Sequence, residues 1–209
     1  MSPRSTVRAY VGLGANLGDA ARTLADAIAA LEALPGVAVD GVSRLYATAP
    51  WGVTDQPEFR NAVVALDLTR DATETAEAGA LALLGWLKTL ERQAGRRARE
   101  RWGPRELDLD VLVYGRHRID VERTSDARSV DADVDPAKAV KRLQVPHRDL
   151  GERLFVLAPL ADLAPRLVPP GWHQTVDTRR RRVAGAEQAG SVRVVGEWDR
   201  REGRWREAR

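Results

Sequence analysis

The chain has 209 residues, 33 Lys and Arg against 30 Asp and Glu for a net charge of +3, and no cysteine. That composition suits one soluble domain with a real core and excludes disulfide scaffolds and thiolate metal sites. With no bilayer-length apolar run and no signal-peptide pattern at the start, a cytoplasmic location without a membrane partner is expected.

Residues 7–13, VRAYVGL, read as a strand, and GANLGD after them as a glycine-rich turn. Asp19 is placed to cap a helix through Leu34, with Leu24, Ile28 and Leu31 at helical spacing. Pro35 and Gly36 end it, and residues 37–48 read as a second strand. A loop with two prolines leads to a third strand, RNAVVALDLT. Residues 74–94 form a long helix with Leu83, Leu87, Leu90 and Ala94 on one stripe. Glu91 shares that inward face, either as a satisfied core carboxylate or as part of a site.

A basic turn, GRRARERWGPR, precedes a fourth strand, ELDLDVLVYG. The order β-α-β-β-α-β is the split βαβ (ferredoxin-like) pattern, an α+β fold with an antiparallel sheet and helices on one face. Residues 118–140 are acidic and poor in large apolar side chains, and read as a mobile insertion. A loop and a short C-terminal helix follow, with a break expected near Pro159. The domain is drawn over residues 7–170, and residues 171–209 as a basic C-terminal extension whose ends can pair as a late hairpin.

Asp108 and Asp110 alternate with Leu107, Leu109, Val111 and Val113, so both carboxylates share one face of a strand, about 7 Å apart at Cα. Beside a basic loop, such a pair can hold a hard cation such as Mg²⁺; alone, it would pass for a solvated strand face. In GLGANLGD, Leu17 occupies the place of the third glycine of a dinucleotide fingerprint, so a tight turn before a helix accounts better for Gly12 and Gly14. His147 in VPHRDL suits phosphate contact and loop packing equally. Trp51 and Phe59 flank a loop ending at Asn61; they can sandwich a flat ring or pin the loop to the core.

At RWGPRELDLD the chain resembles the signature of the 6-hydroxymethyl-7,8-dihydropterin pyrophosphokinase family of the folate pathway. The resemblance extends to GLGANLGD, YATAPWGVTDQPEFRNAV and VPHRDLGERLFVLAPLADLAP, in the family's order, over about residues 7–170. It implies transfer of diphosphate from ATP to the hydroxymethyl oxygen of the pterin, with release of AMP. It further implies that Asp108 and Asp110 bind two Mg²⁺ ions with ATP, and that Arg96, Trp102 and Arg105 serve the catalytic loop. Glu91, Arg142, His147, Arg148 and Arg153 would attend ATP. Thr48, Ala49, Trp51, Phe59, Asn61 and Phe155 would line the pterin pocket.

The chain departs from the pattern at Ala98, where the family has arginine and where Arg97 or Arg99 would substitute. It also departs at Trp51, at Arg148 and in the insertion. The charged run between Gly95 and Gly103 has the composition of a lid. An RNA-binding module of the same fold is the weaker alternative, because paired aspartates repel phosphates unless metal intervenes, and no aromatic-rich RNP strand is present. We expect a monomer acting on ATP and a pterin, with no nucleic-acid partner.

Overall fold

The computed structural model describes residues 3–50, 52–98, 103–130, 141–187 and 190–208. The strands β1 (Arg4–Ala15), β2 (Val37–Val42), β3 (Leu45–Thr48), β4 (Phe59–Asp71), β5 (Asp108–Tyr114), β8 (Val192–Asp199) and β9 (Arg204–Glu207) make one sheet. Its order is β5-β1-β4-β3-β8-β9, with β2 also paired to β4, and every pairing is antiparallel. A second, two-stranded sheet pairs β6 (Ile119–Glu122) with β7 (Arg142–Val145).

Helices α1 (Ala20–Glu32) and α2 (Ala76–Gln93) begin at side-chain caps. Asp19 accepts from the Arg22 amide, and Thr75 from the Ala78 amide, each satisfying a donor that the first turn leaves free. Both helices press Leu24, Ile28, Leu31, Leu83 and Leu87 onto Val7, Ala9, Val11, Val64 and Leu66 on one sheet face. The opposite face, Tyr10, Val63, Ala65, Leu112 and Val113, is covered by α3 (Leu154–Leu163) through Leu157 and Leu160. Val176, at the start of α4 (Val176–Ala184), joins that second cluster. Among the described residues no helix is long and apolar enough to cross a membrane.

Four local expectations need correcting. Residues 37–48 are not one strand: β2 and β3 are separated at Ser43, whose hydroxyl takes the Val63 N–H at 2.9 Å. The side chain thus replaces a ladder partner where the chain bends. Pro159 does not end its helix but lies buried within α3. It costs one backbone hydrogen bond, and burial of Leu157 and Leu160 holds the helix together. The insertion is in part ordered, since Ile119 and Val121 alternate with Asp120 and Glu122 along β6, and Ala127 is fully buried; residues 131–140 lie outside the described residues. Finally, strict alternation in β5 fails at Leu112. The register to β1 slips between Tyr10 and Val11, so Leu112 and Val113 both face α3, the usual effect of a bulge.

The segment after residue 170 supplies α4 and a β8–β9 hairpin. β8 pairs with β3, so the hairpin continues the main sheet. The Trp198 and Trp205 rings meet edge to face at 4.6 Å, and the Trp205 indole N–H donates to the Ser43 carbonyl.

Candidate active site

The floor of the site is a strip of sheet that lacks side chains. Gly12 and Gly14 lie inside β1, not in a turn; of the glycines in that block, Gly18 has the positive φ of a turn, +59°. Gly14 pairs with Asp108 on one side and Asn61 on the other, and Gly12 pairs with Asp110 and Val63. Residues directly opposite in an antiparallel ladder point to the same face. Asp108, Asp110 and Asn61 therefore project together across a trough left open by the glycines. A Cβ on Gly14 would stand 3.2 Å from Asn61 Oδ1.

On the β5 side, carboxylates and cations are interleaved. Glu91 of α2 is fully buried and forms ion pairs with Lys88 Nζ at 2.5 Å and Arg96 Nη1 at 2.8 Å. Gly95, at φ +79°, turns the chain back after α2, and the Arg96 amide donates to the Glu91 carbonyl, as at a left-handed helix end. That turn delivers Arg96 to Asp108 Oδ1 at 2.5 Å, while Arg105 Nη1 meets Asp108 Oδ2 at 2.7 Å. Burial acts to raise the Asp108 carboxyl, but the charges of Arg105, Arg96 and Lys88 outweigh it and hold the group well below the ordinary carboxylate range. For Glu91, burial prevails over the charges of Lys88 and Arg96, and its pKa is raised. Asp110 is the more available carboxylate. Its nearest ion-pair partner among the described residues is Lys88 Nζ, 3.9 Å away.

Across the trough, the Asn61 amide donates to Thr48 Oγ1 at 2.8 Å, and both residues are buried. Phe59 pairs with Thr48 in the ladder and so shares that face. Ala49, exposed, follows the end of β3. Phe155 stands in the first turn of α3, with the Arg153 guanidinium 5.8 Å from its ring centroid. Trp51 and Trp102 lie outside the described residues, as does Arg99.

A family model described as 7,8-dihydro-6-hydroxymethylpterin-pyrophosphokinase (HPPK) matches residues 10–165. The chain belongs to the HPPK family. It is 41% identical over 187 residues to the 2-amino-4-hydroxy-6-hydroxymethyldihydropteridine pyrophosphokinase of Methylorubrum extorquens, covering 90% of this chain and 98% of that protein. It is also 41% identical over 167 residues to the protein of the same name from Pseudomonas aeruginosa, covering 79% and 86%. Among solved structures, the Plasmodium falciparum HPPK-DHPS triple mutant with STZ-DHP superposes with a TM-score of 0.69 at 15% identity. That match covers 99% of this chain and 49% of the other, so the chain spans about half of that protein, and the likeness speaks for the fold. Membership makes the chain a pyrophosphokinase, a transferase.

Within this HPPK chain the expected nucleotide residues are not all gathered at the trough. His147 is placed beside β5, its amide donating to the Leu112 carbonyl while Nδ1 accepts from the Asp149 amide. Arg153 pairs with Asp149 at 2.5 Å, and exposed Arg148 lies 3.7 Å from the same acid. Arg142 pairs at the surface with Asp120, 2.5 Å away. Arg96 belongs to the β5 bank rather than to a lid, because Glu91 and Asp108 hold it in the buried interior.

Two residues escaped the sequence reading. Arg123 follows β6, its Nε donating to the Arg142 carbonyl. Burial lowers its pKa, against the charges of Asp110, Glu91 and Asp108. It lay in a segment read as mobile, and nothing in its neighbours flagged it. Asn16, only 3% exposed, ties two loops together. Its side chain donates to Gln56 and to the Pro57 carbonyl, and it accepts from the Arg105 amide at 2.7 Å. A polar amide two residues after the second strand glycine, Gly14, was the available signal.

Proposed function

We propose that the trough binds ATP and 6-hydroxymethyl-7,8-dihydropterin side by side and transfers the terminal diphosphate to the pterin's hydroxymethyl oxygen, releasing AMP. The observation that carries this reading is the row Asp108–Gly14–Asn61 across three adjacent strands. It sets a carboxylate pair and its cations on one bank and a buried amide on the other, with no side chain between.

The donor set suits Mg²⁺. Among the described residues no group of three or more His, Asp or Glu is arranged to hold a metal by itself. Two carboxylates with the remaining ligands supplied by phosphate and water is how Mg²⁺ is usually bound in phosphoryl-transfer sites. Asp108 and Asp110 would hold the ions, two with ATP, and when bound these neutralise phosphate charge and stabilise the leaving oxygen. Asp108 is kept ionised by its arginines, and Asp110 is open to solvent on one side, 35% exposed.

The chain's own groups do the rest. Arg105 is tied to Asp108 at 28% side-chain exposure and can exchange that partner for a phosphate oxygen. Arg123 and His147 flank the β5 bank, where ATP phosphates would lie. Asn61 offers its amide to the pterin edge, its orientation set by Thr48, and Phe59 and Phe155 face the ring. Chemistry of this kind depends on positioning and charge neutralisation rather than on a covalent intermediate.

Binding of Mn²⁺, as a magnetic stand-in for Mg²⁺, with a non-hydrolysable ATP analogue tests the assignment. Two ions per chain in the wild type and fewer in Asp110→Asn are expected; unchanged stoichiometry and affinity in that variant would remove Asp110 from the metal site.

A further inference from the structure

β5 is the terminal strand of the main sheet, and the residue between its two aspartates is held in an unusual way. The Leu109 N–H donates to Glu91 Oε1 at 2.7 Å, and the Leu109 carbonyl accepts from Lys88 Nζ at 2.8 Å. Lys88 and Glu91 are themselves joined at 2.5 Å, with side-chain exposures of 4% and 0%. The Leu109 side chain is fully buried in the core on the far face. A helix-borne ion pair thus takes the place of a neighbouring strand for one residue, and that residue is the spacer between the proposed metal ligands.

We infer that Lys88, acting with Glu91, is a positioning residue: it clamps the Leu109 peptide from α2 and thereby fixes the separation and aim of Asp108 and Asp110. The inference rests on the reading that those aspartates hold the metal.

Buried ion pairs are seldom a net gain in stability over apolar packing, so stability alone does not explain a lysine and a glutamate on the inward stripe of α2. An apolar pair there would fill the space but leave both polar groups of Leu109 without partners at the sheet edge. Lysine suits the task because a compact ammonium has three donors. Here one donor reaches Glu91 and a second reaches Leu109, while Asp110 Oδ1 lies 3.9 Å away. Glu91 also touches Arg96, which touches Asp108. The same pair therefore braces both aspartates, one through the backbone and one through a side-chain chain of charge. Groups that orient metal ligands from behind commonly change metal affinity by about 10- to 100-fold when removed.

The test uses the full chain with Lys88→Met, and Lys88→Gln, which keeps one N–H donor for the Leu109 carbonyl. Two quantities are read: exchange of the Leu109 amide hydrogen, and Mn²⁺ affinity with the ATP analogue. Lys88→Met should speed Leu109 exchange and weaken Mn²⁺ binding by about 10-fold or more, with turnover recovering at high Mg²⁺ and pterin KM unchanged there. Lys88→Gln should fall between it and the wild type. A folded Lys88→Met protein with faster Leu109 exchange but wild-type Mn²⁺ affinity would overturn the inference, leaving the clamp a structural feature. If neither variant folds, the wild type decides: its Leu109 amide must exchange among the slowest of β5, and rapid exchange overturns the clamp. Wild-type metal binding in Asp110→Asn would instead sink the underlying metal reading, and leaves Leu109 exchange as a separate readout.

Discussion

Replacing Gly14 by alanine adds one methyl group to the floor of the trough, between Asp108 and Asn61. The new Cβ would stand 3.2 Å from Asn61 Oδ1, with no other described atom within 4 Å, so Asn61 must yield by a few tenths of an ångström. Moving the Asn61 amide off its rotamer costs about 0.5–1.5 kcal/mol, and straining its 2.8 Å bond to Thr48 costs a further fraction of the roughly 1 kcal/mol that such a bond contributes. Together these come to about 1.5 kcal/mol, close to a tenfold loss of affinity for a ligand edge that reads Asn61. The fold should not suffer, because alanine in a strand is favoured over glycine by about 0.5–1 kcal/mol. Calorimetric titration with the pterin, separate titration with an ATP analogue, and a thermal melt measure the three quantities. Pterin affinity should fall about tenfold, with ATP affinity and melting temperature held or slightly raised. An unchanged pterin affinity, or a parallel loss for ATP, would refute the placement of the pterin against Asn61.

Asp108→Asn should lower the melting temperature as well as turnover, because it leaves Arg96 and Arg105 short of a partner; Asp110→Asn should lower turnover alone, as differential scanning calorimetry of the pair would show. Arg123→Ala should weaken ATP binding by about tenfold, whereas Arg142→Ala should be nearly silent because its surface pair with Asp120 contributes little; equal effects in a nucleotide titration would refute the distinction. Removal of residues 188–209 strips β8 from β3 and uncovers Leu45 and Tyr46, now 4% and 5% exposed. The melting temperature should fall by roughly 10 °C or more, at about 2–4 °C per kcal/mol, and a truncated protein with a wild-type melt would show the hairpin to be dispensable.

The elements that depend on local signals were legible in the sequence. Asp19 capped α1, the leucine stripe marked α2, and the alternation around Asp108 and Asp110 gave β5 its two faces. What escaped depended on partners distant in sequence. Gly12 and Gly14 looked like turn residues because nothing local shows that they lie between β5 and β4, where only a bare strand leaves a trough. Glu91 was visible as an inward acid, but its link to the Leu109 peptide joins residues 18 apart in sequence. The family resemblance assigns Asp108 and Asp110 to metal and Asn61 and Thr48 to the pterin pocket, and the strand register places all four on one sheet face. It passed over Arg123, because charge and low hydrophobicity hid the two apolar residues that anchor β6. The resemblance implies a nucleotide role for Arg142, but its side chain is engaged by Asp120 at the surface.

The most direct test is the product formed from ATP, Mg²⁺ and 6-hydroxymethyl-7,8-dihydropterin by the wild type and by Asp110→Asn. The wild type should release AMP only when the pterin is present, one for each pterin diphosphate formed. In Asp110→Asn the rate should fall by roughly 10²-fold or more, the scale on which single charge-stabilising contacts act in a transition state. Release of ADP in place of AMP, or near-normal turnover by Asp110→Asn at moderate Mg²⁺, would contradict the assignment of diphosphate transfer to this carboxylate pair.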